Sequence, residues 1–374
     1  MAAAAGAALA ATVLALLPVV SAAEGLQATL YADKTKQLLA YLDAGGRSRP
    51  VSSVDDWNKR REHVLANMQR VMGPLPAPDR KVPLDVQVAW SESLPKVSRK
   101  KITYVSERNH RVPAYLLIPA GLKGKAPAML CLHGTDGSRG RTAGLGPDYA
   151  RYAIELAERG YVTLAPDYIT LGENTAVDPY KDLGYVSASM KGIWDHIRAV
   201  DVLQSLPEVE GERMGVVGLS LGGHNALFVA VFDPRLKVIV TSSGFDSFYD
   251  YKGGGPGALR GWAGQRYMPL IETACGLAPD KVPFDFPEVL AALAPRPLFI
   301  HAPLQDDNFN VASVKRCAAA AKPVYRLFGA EERIVSLCPE GGHGFPPEAR
   351  EAAYAFVDEA LGNKNRQSPS ASQK

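Results

Sequence analysis

The sequence predicts an α/β protein, with a mostly parallel central sheet, helices on both faces and an insertion over the carboxyl edge of the strands. Three observations lead there. From Ala128 onward, short apolar runs alternate with helical stretches. The runs are continuous rather than alternating in polarity, as in a sheet covered on both faces. A glycine-flanked serine, Gly218-Leu219-Ser220-Leu221-Gly222, lies directly between one run and one helical stretch.

Composition bounds the problem. The 374 residues are 47% hydrophobic and 22% charged, with 34 Gly and 28 Pro. These values exclude collagen-like, coiled-coil and wholly disordered chains. The 42 basic and 39 acidic side chains leave a net charge of +3, too weak a field to favour nucleic acid or an anionic membrane.

In chain order, Ala2 to Ala23 carries no charge and ends in small residues before Glu24. Residues 1–23 are expected to be a secretory signal peptide, placing the mature protein in the periplasm or outside the cell. No Lys or Arg precedes the apolar run, so an uncleaved anchor is the alternative, and only then is a membrane a partner. Residues 24–127 are expected to flank the catalytic core. Their pattern is a helix from Lys34 to Met72, with Trp57, Val64, Met68 and Val71 at core spacing, then strands at Leu84–Ala89, Lys101–Val105 and Pro113–Ile118.

The core is expected over 128–362. Its strands are read at Ala128–Leu132, Tyr161–Ala165, Met214–Val217, Val238–Val240, Leu298–Ile300 and Val324–Leu327. Its helices are read at Tyr149–Arg159, Ala188–Leu206, Gly222–Val231, Val311–Ala321 and Pro347–Leu361. Such repetition implies right-handed crossovers onto a parallel sheet. Residues 244–295 interrupt the rhythm and are rich in Gly, Pro and aromatics, so they are read as the insertion. Within it Trp262 and Tyr267 are candidate substrate contacts, with packing among the segment's own aromatics as the alternative. The polar tail, 363–374, is expected to be disordered.

None of the four cysteines forms a CxxC pair or a zinc-like spacing, and no metal or organic cofactor is implied. Cys131 reads as a buried small hydrophobe, and Cys317 with Cys338 as a possible disulfide.

The chemistry sits in the G-x-S-x-G turn. A sharp strand-to-helix turn needs glycine on both sides and exposes Ser220 at the sheet edge. It also aims helix amides, Leu221 first, at a developing oxyanion. The other donor is expected from the loop after the first central strand, at Gly134 or Thr135. Serine needs a base. Of seven histidines, only His343 follows the last expected strand, in a glycine-rich loop. The acid should follow the strand at Leu298–Ile300, where Asp306 and Asp307 compete; spacing does not choose between them. His133 reads as packing behind the oxyanion loop. Asp167 and Tyr168 lie at the same edge as candidates for substrate contact or local turn formation.

From about Trp57 to Ala360 the chain resembles α/β-hydrolases of the dienelactone hydrolase and acetylxylan esterase type, including exported bacterial esterases. The stretches that carry the resemblance are LCLHGTDG at 130–137, LAPDY at 164–168, GLSLGGHN at 218–225, APRPLFIHAPLQDDNF at 294–309 and GGHGFP at 341–346. The resemblance implies an α/β-hydrolase fold, a Ser-Asp-His triad and an ester substrate, small or polysaccharide, such as acetylated xylan. It favours Asp306, the first Asp of a D-x-N-F run, as the acid. Dienelactone hydrolases carry Cys where this chain has Ser220. Glucuronoyl esterases are similar in layout but carry Arg where this chain has Leu221. Prolyl oligopeptidases resemble the catalytic half but usually add a β-propeller, for which the region before Ala128 is too short.

Overall fold

The computed structural model describes Tyr31, Lys34 and residues 37–136, 138–146 and 150–363. The expected leader, Gly137, Tyr149 and the tail beyond Asn363 lie outside the described residues. Among the described residues no helix is long and apolar enough to cross a membrane.

Two short strands come first, β1 (Ala40–Leu42) and β2 (Ser48–Pro50), paired antiparallel. The expected helix from Lys34 therefore begins only at α1 (Val54–Met72). Asp43 supplies the reason. Its carboxylate accepts from the Gly45 and Arg47 amides and closes a turn, a local bond that competes with helix. Ser53 then caps α1 by accepting from the Asp56 amide, and Trp57, Val64, Met68 and Val71 are buried on one face.

The remaining elements follow in order: β3 (Gln87–Ser93), β4 (Val97–Glu107), β5 (His110–Pro119), β6 (Ala126–Leu132), α2 (Tyr152–Glu158), β7 (Val162–Pro166), α3 (Ala188–Ser205), β8 (Val209–Leu219), α4 (Leu221–Phe232), β9 (Leu236–Ser242), α5 (Leu270–Thr273), α6 (Phe286–Ala291), β10 (Leu298–His301), α7 (Val311–Leu327), β11 (Ile334–Leu337) and α8 (Pro347–Leu361). Nine strands form one sheet in the order β11-β10-β9-β8-β6-β7-β5-β4-β3. The pairs from β7 to β11 are parallel, and β3, β4 and β5 join antiparallel at the other edge.

One strand was expected in the wrong place. Val324–Leu327 is the last turn of α7, which runs through Pro323, and Val324 and Tyr325 are buried as part of a helix face. The last strand is β11, whose mixed burial leaves no apolar run to flag it.

Strand order positions the site. α2 carries the chain from β6 to β7 on one side. α3 then carries it back to β8, on the other side of β6. Loops leaving the carboxyl ends of β6 and β8 therefore diverge and open a crevice, the ligand position of open α/β sheets. Successive strand residues face opposite layers. Leu130, Val216 and Ile239 pack with Trp57, Trp194 and Phe228, whereas Met129, Cys131 and Val217 pack with Tyr152 and Tyr354.

The 244–295 excursion is held by its own aromatics. Phe248 meets Trp262, Phe284 and Phe286 at centroid distances of 5.6, 5.5 and 5.4 Å. It is also pinned to α1, where buried Arg60 pairs with buried Glu288 at 2.5 Å. Removing one partner from such a pair costs about 3–5 kcal/mol. All four cysteines are free, including Cys317 and Cys338. Cys317 is instead a core residue on the inner face of α7.

Candidate active site

β8 ends at Leu219, and α4 begins at Leu221. Ser220 alone makes the turn, with φ 56° and ψ −116°, a strained conformation for a residue with a side chain. Two glycines permit it. A Cβ on Gly218 would lie 2.1 Å from the Gly222 carbonyl oxygen, and one on Gly222 would lie 1.9 Å from that of Leu132. Ser220 makes no side-chain cap on α4. Its hydroxyl goes instead to His343, with Oγ 2.9 Å from Nε2.

The His343 Nδ1 faces Asp306, 2.9 Å from Oδ1 and 3.1 Å from Oδ2. The carboxylate orients the ring with Nδ1–H donating, which leaves Nε2 free to accept from the serine. Burial alone would raise the Asp306 pKa. The bond to His343, its charge, and the Asn308 and Phe309 amides outweigh burial and hold the carboxyl below its usual value. Asp307 is exposed, and although its carboxylate lies within 4.8 Å of the Asp306 and His343 polar atoms, it makes no hydrogen bond to the ring. The cap of α7 comes from Asn310, which accepts from the Ala312 and Ser313 amides, so neither aspartate is needed for it.

The other histidines near the sheet edge are structural. Burial pushes His224 down to about 3 and His301 down to about 4, so both are neutral at physiological pH. Burial also lowers His133, whose Nε2 accepts from the Tyr168 amide at 3.0 Å. His133 thus ties the β6 loop to the β7 loop behind the crevice.

Gly134 follows β6, and a Cβ on it would lie 3.5 Å from that of Ser220. The 134–135 backbone therefore flanks the serine on one side. The amino end of α4, starting at Leu221, flanks it on the other. Its first amides have no intrahelical acceptor.

The sequence model of the acetyl xylan esterase family matches residues 78–252. The chain superposes on a glucuronoyl esterase from Solibacter usitatus with a TM-score of 0.69 at 21% identity, covering 90% of this chain and 100% of that one. A family 15 glucuronoyl esterase from Caldicellulosiruptor kristjansonii gives 0.66 at 19%, covering 92% and 96%. Likeness at this identity speaks to fold. The chain has the α/β-hydrolase fold.

Curated relatives are partial matches. The Bacillus subtilis protein YtaP is 30% identical over 182 residues, 46% of this chain and 60% of its own length. The 4-O-methyl-glucuronoyl methylesterase 1 of Wolfiporia cocos is 23% identical over 220 residues, 52% of this chain and 51% of its own. The chain thus spans between half and three fifths of those proteins.

The remaining expected contacts sort by burial. Trp262 is only 3% exposed and sits among His224, Phe248, Tyr251 and Phe286, so it packs the excursion instead of facing a ligand. Tyr267 is half-buried and packs in the cluster that contains Leu221 and Tyr168. Tyr168 is buried, and its hydroxyl donates to the Arg266 carbonyl. Asp167 is buried and accepts from two backbone amides, those of Arg139 and Glu173, so it forms the local turns.

The site also includes residues that sequence patterns did not single out. At the end of β9, the Ser242 hydroxyl donates to the Gly344 carbonyl at 3.0 Å, and that of Ser243 reaches the same oxygen at 3.3 Å. His301 Nδ1 lies 2.8 Å from Ser242 Oγ, and its ring stacks on Phe345 at 5.5 Å. These groups position the loop that carries His343. Their signal, a Ser-Ser pair ending one strand and a His ending its neighbour, has no meaning until β9 and β10 are paired.

Asp246 braces the acid loop from the same side, its Oδ2 accepting from the Asn310 amide at 2.9 Å while Oδ1 has no partner. Burial, reinforced by Asp250, Asp285 and Asp306, pushes it up to about 7. An unfolded aspartate ionises near pH 4. Between these values the native state holds a proton that the unfolded chain releases, so this group's contribution to stability falls as pH rises from about 4 to 7. Asp246→Asn is therefore expected to be stabilised relative to wild type at pH 8 but not at pH 4, by on the order of 2 kcal/mol. Thermal melts of both proteins across that range check it. Parallel curves overturn the assignment.

Proposed function

We propose that this α/β-hydrolase is a serine esterase that cleaves carboxylic esters borne on carbohydrates, with Ser220, His343 and Asp306 as its triad. The observation that carries the proposal is the continuous chain of hydrogen bonds from Asp306 through His343 to Ser220 Oγ. Ser220 attacks the ester carbonyl carbon as its proton passes to His343 Nε2. The carbonyl oxygen becomes an oxyanion facing the Leu221 amide and that of Gly134 or Thr135. A single such donor is worth about 10²–10³ in kcat. Collapse of the intermediate breaks the ester C–O bond. The alcohol leaves with the proton from His343, and the acyl group stays on Ser220. His343 then takes a proton from water, whose oxygen attacks the acyl carbon. The acid leaves, and Ser220 recovers its proton.

The carbohydrate part rests on the acetyl xylan esterase match and on relatives named as glucuronoyl methylesterases. Export rests on the apolar 1–23 segment and its small closing residues. A panel of acetyl, feruloyl and glucuronoyl esters with matched peptide amides tests the reading. Ester cleavage is expected to dominate. Faster cleavage of the amides would reassign the site to a peptidase, and acetyl against glucuronoyl rates separate the two ester classes.

A further inference from the structure

Along the loop that follows Gly134, a cavity of about 640 Å³ opens between two loops. One loop follows β6 and brings Thr135, Ser138, Arg139 and Arg141 to its wall. The other follows β7 and brings Thr170 and Thr175. Asp167 ties the loops together. Its carboxylate accepts from the Arg139 amide at 3.0 Å and the Glu173 amide at 2.9 Å. A Cβ on Gly172 would lie 2.3 Å from that carboxylate, so the second loop runs tightly over it. The walls are therefore held by a buried acid whose oxygens accept from both loops.

The lining chemistry is specific. Arg139 holds a φ of 59°, unusual for a residue with a side chain, and that geometry is locked by its bond to Asp167. Its exposed guanidinium has no ion-pair or hydrogen-bond partner among the described residues. Arg141 donates to the backbone carbonyl of Asp136 at 2.6 Å, a neutral acceptor. Two guanidinium charges thus face one lining carboxylate, that of Asp136. Four hydroxyls share the wall, and that of Thr170 is buried without a partner. Guanidinium groups match carboxylates in a bidentate fork, whereas a neutral ligand would leave them unneutralised.

We propose that this cavity is a subsite for a carboxylate-bearing sugar, so that the scissile ester is carried on an acidic saccharide with a free uronate near the esterified residue. The substrate class rests on the esterase reading above; the carboxylate site rests on the two loops alone. Thr135 lines the cavity and directly follows Gly134, whose backbone closely approaches Ser220, so the proposed uronate would sit on the same side of the serine as that loop.

Two measurements test it. In the first, the full chain carrying Ser220→Ala is titrated calorimetrically with D-glucuronate and with D-glucose. Glucuronate is expected to bind, more weakly as salt is raised, and glucose at least about ten-fold more weakly. Adding Arg139→Gln and Arg141→Gln removes the difference, and Arg139→Lys retains part of it; should the double change fail to fold, Arg139→Gln alone carries the test. In the second, the active enzyme is given an acetylated disaccharide containing glucuronate and its carboxyl-reduced counterpart. The acidic ester is expected to have kcat/KM about ten-fold higher, mainly through KM, and the glutamine variants to bring the ratio to about one. Equal binding of the two sugars, or a ratio that survives in the glutamine variants, overturns the subsite. Glucuronate binding with neither ester hydrolysed keeps the subsite and overturns the esterase reading.

Discussion

Ser220→Ala is expected to lower kcat on ester substrates by about 10⁴- to 10⁶-fold while the protein stays folded. In the proposed mechanism the hydroxyl is the attacking atom, and no other described nucleophile stands against His343 Nε2, which faces Ser220 Oγ at 2.9 Å. The substitution removes no packing, because Ser220 is partly exposed and its Oγ caps nothing. Steady-state hydrolysis of 4-nitrophenyl acetate, with a far-ultraviolet spectrum as the folding control, reads the result. Activity near wild type in a folded Ser220→Ala protein removes the mechanism.

Asp306→Asn is expected to lower kcat by about 10⁴-fold, whereas Asp307→Asn leaves it close to wild type. Asp306 holds the Nδ1–H of His343 with both oxygens and offsets the positive charge that the ring gains in the transition state. An amide can present an N–H to Nδ1, which favours the wrong tautomer and leaves Nε2 protonated and unable to accept from Ser220. Asp307 is exposed, its carboxylate lies near His343 without bonding to it, and its one described hydrogen bond is its backbone carbonyl accepting from Lys252 Nζ, which the substitution retains. Parallel kcat measurements on the two variants decide it, and a larger loss in Asp307→Asn reverses the assignment.

Much of this site is legible in the sequence because its signals are local. The Gly-x-Ser-x-Gly turn is required by close approaches of backbone to backbone, at Gly218 and Gly222, that forbid a Cβ. A short apolar run, a turn and a helical pattern in that order leave one way to expose the serine. His343 stands out by elimination, since it alone follows the last strand. The choice between Asp306 and Asp307 is different. Both carboxylates lie near His343, and which of them bonds to the ring depends on how the loop after β10 is held. It is held by Asp306 accepting from the Asn308 and Phe309 amides and by Asp246 accepting from that of Asn310. Neither bond has a sequence period. The failed strand at Val324–Leu327 has a related cause: a short apolar run after a proline reads alike as strand or as a buried helix end.

What the sequence by itself determined is the order of the parts: alternating strands and helices, a serine at a strand-to-helix turn, an acid after a later strand and a histidine after the last. These follow from hydrophobic period and backbone sterics, which act over a few residues. What only the tertiary structure decided is which groups meet. It set Asp306 against His343, turned Asp167 from a candidate contact into the tie between two loops, and sent Trp262 into the aromatic core. It also placed Arg139 and Arg141 in a cavity along the loop that follows Gly134. Those outcomes depend on strand order, which brings residues far apart in the chain to one crevice between β6 and β8, and contacts across that distance leave no local pattern to read.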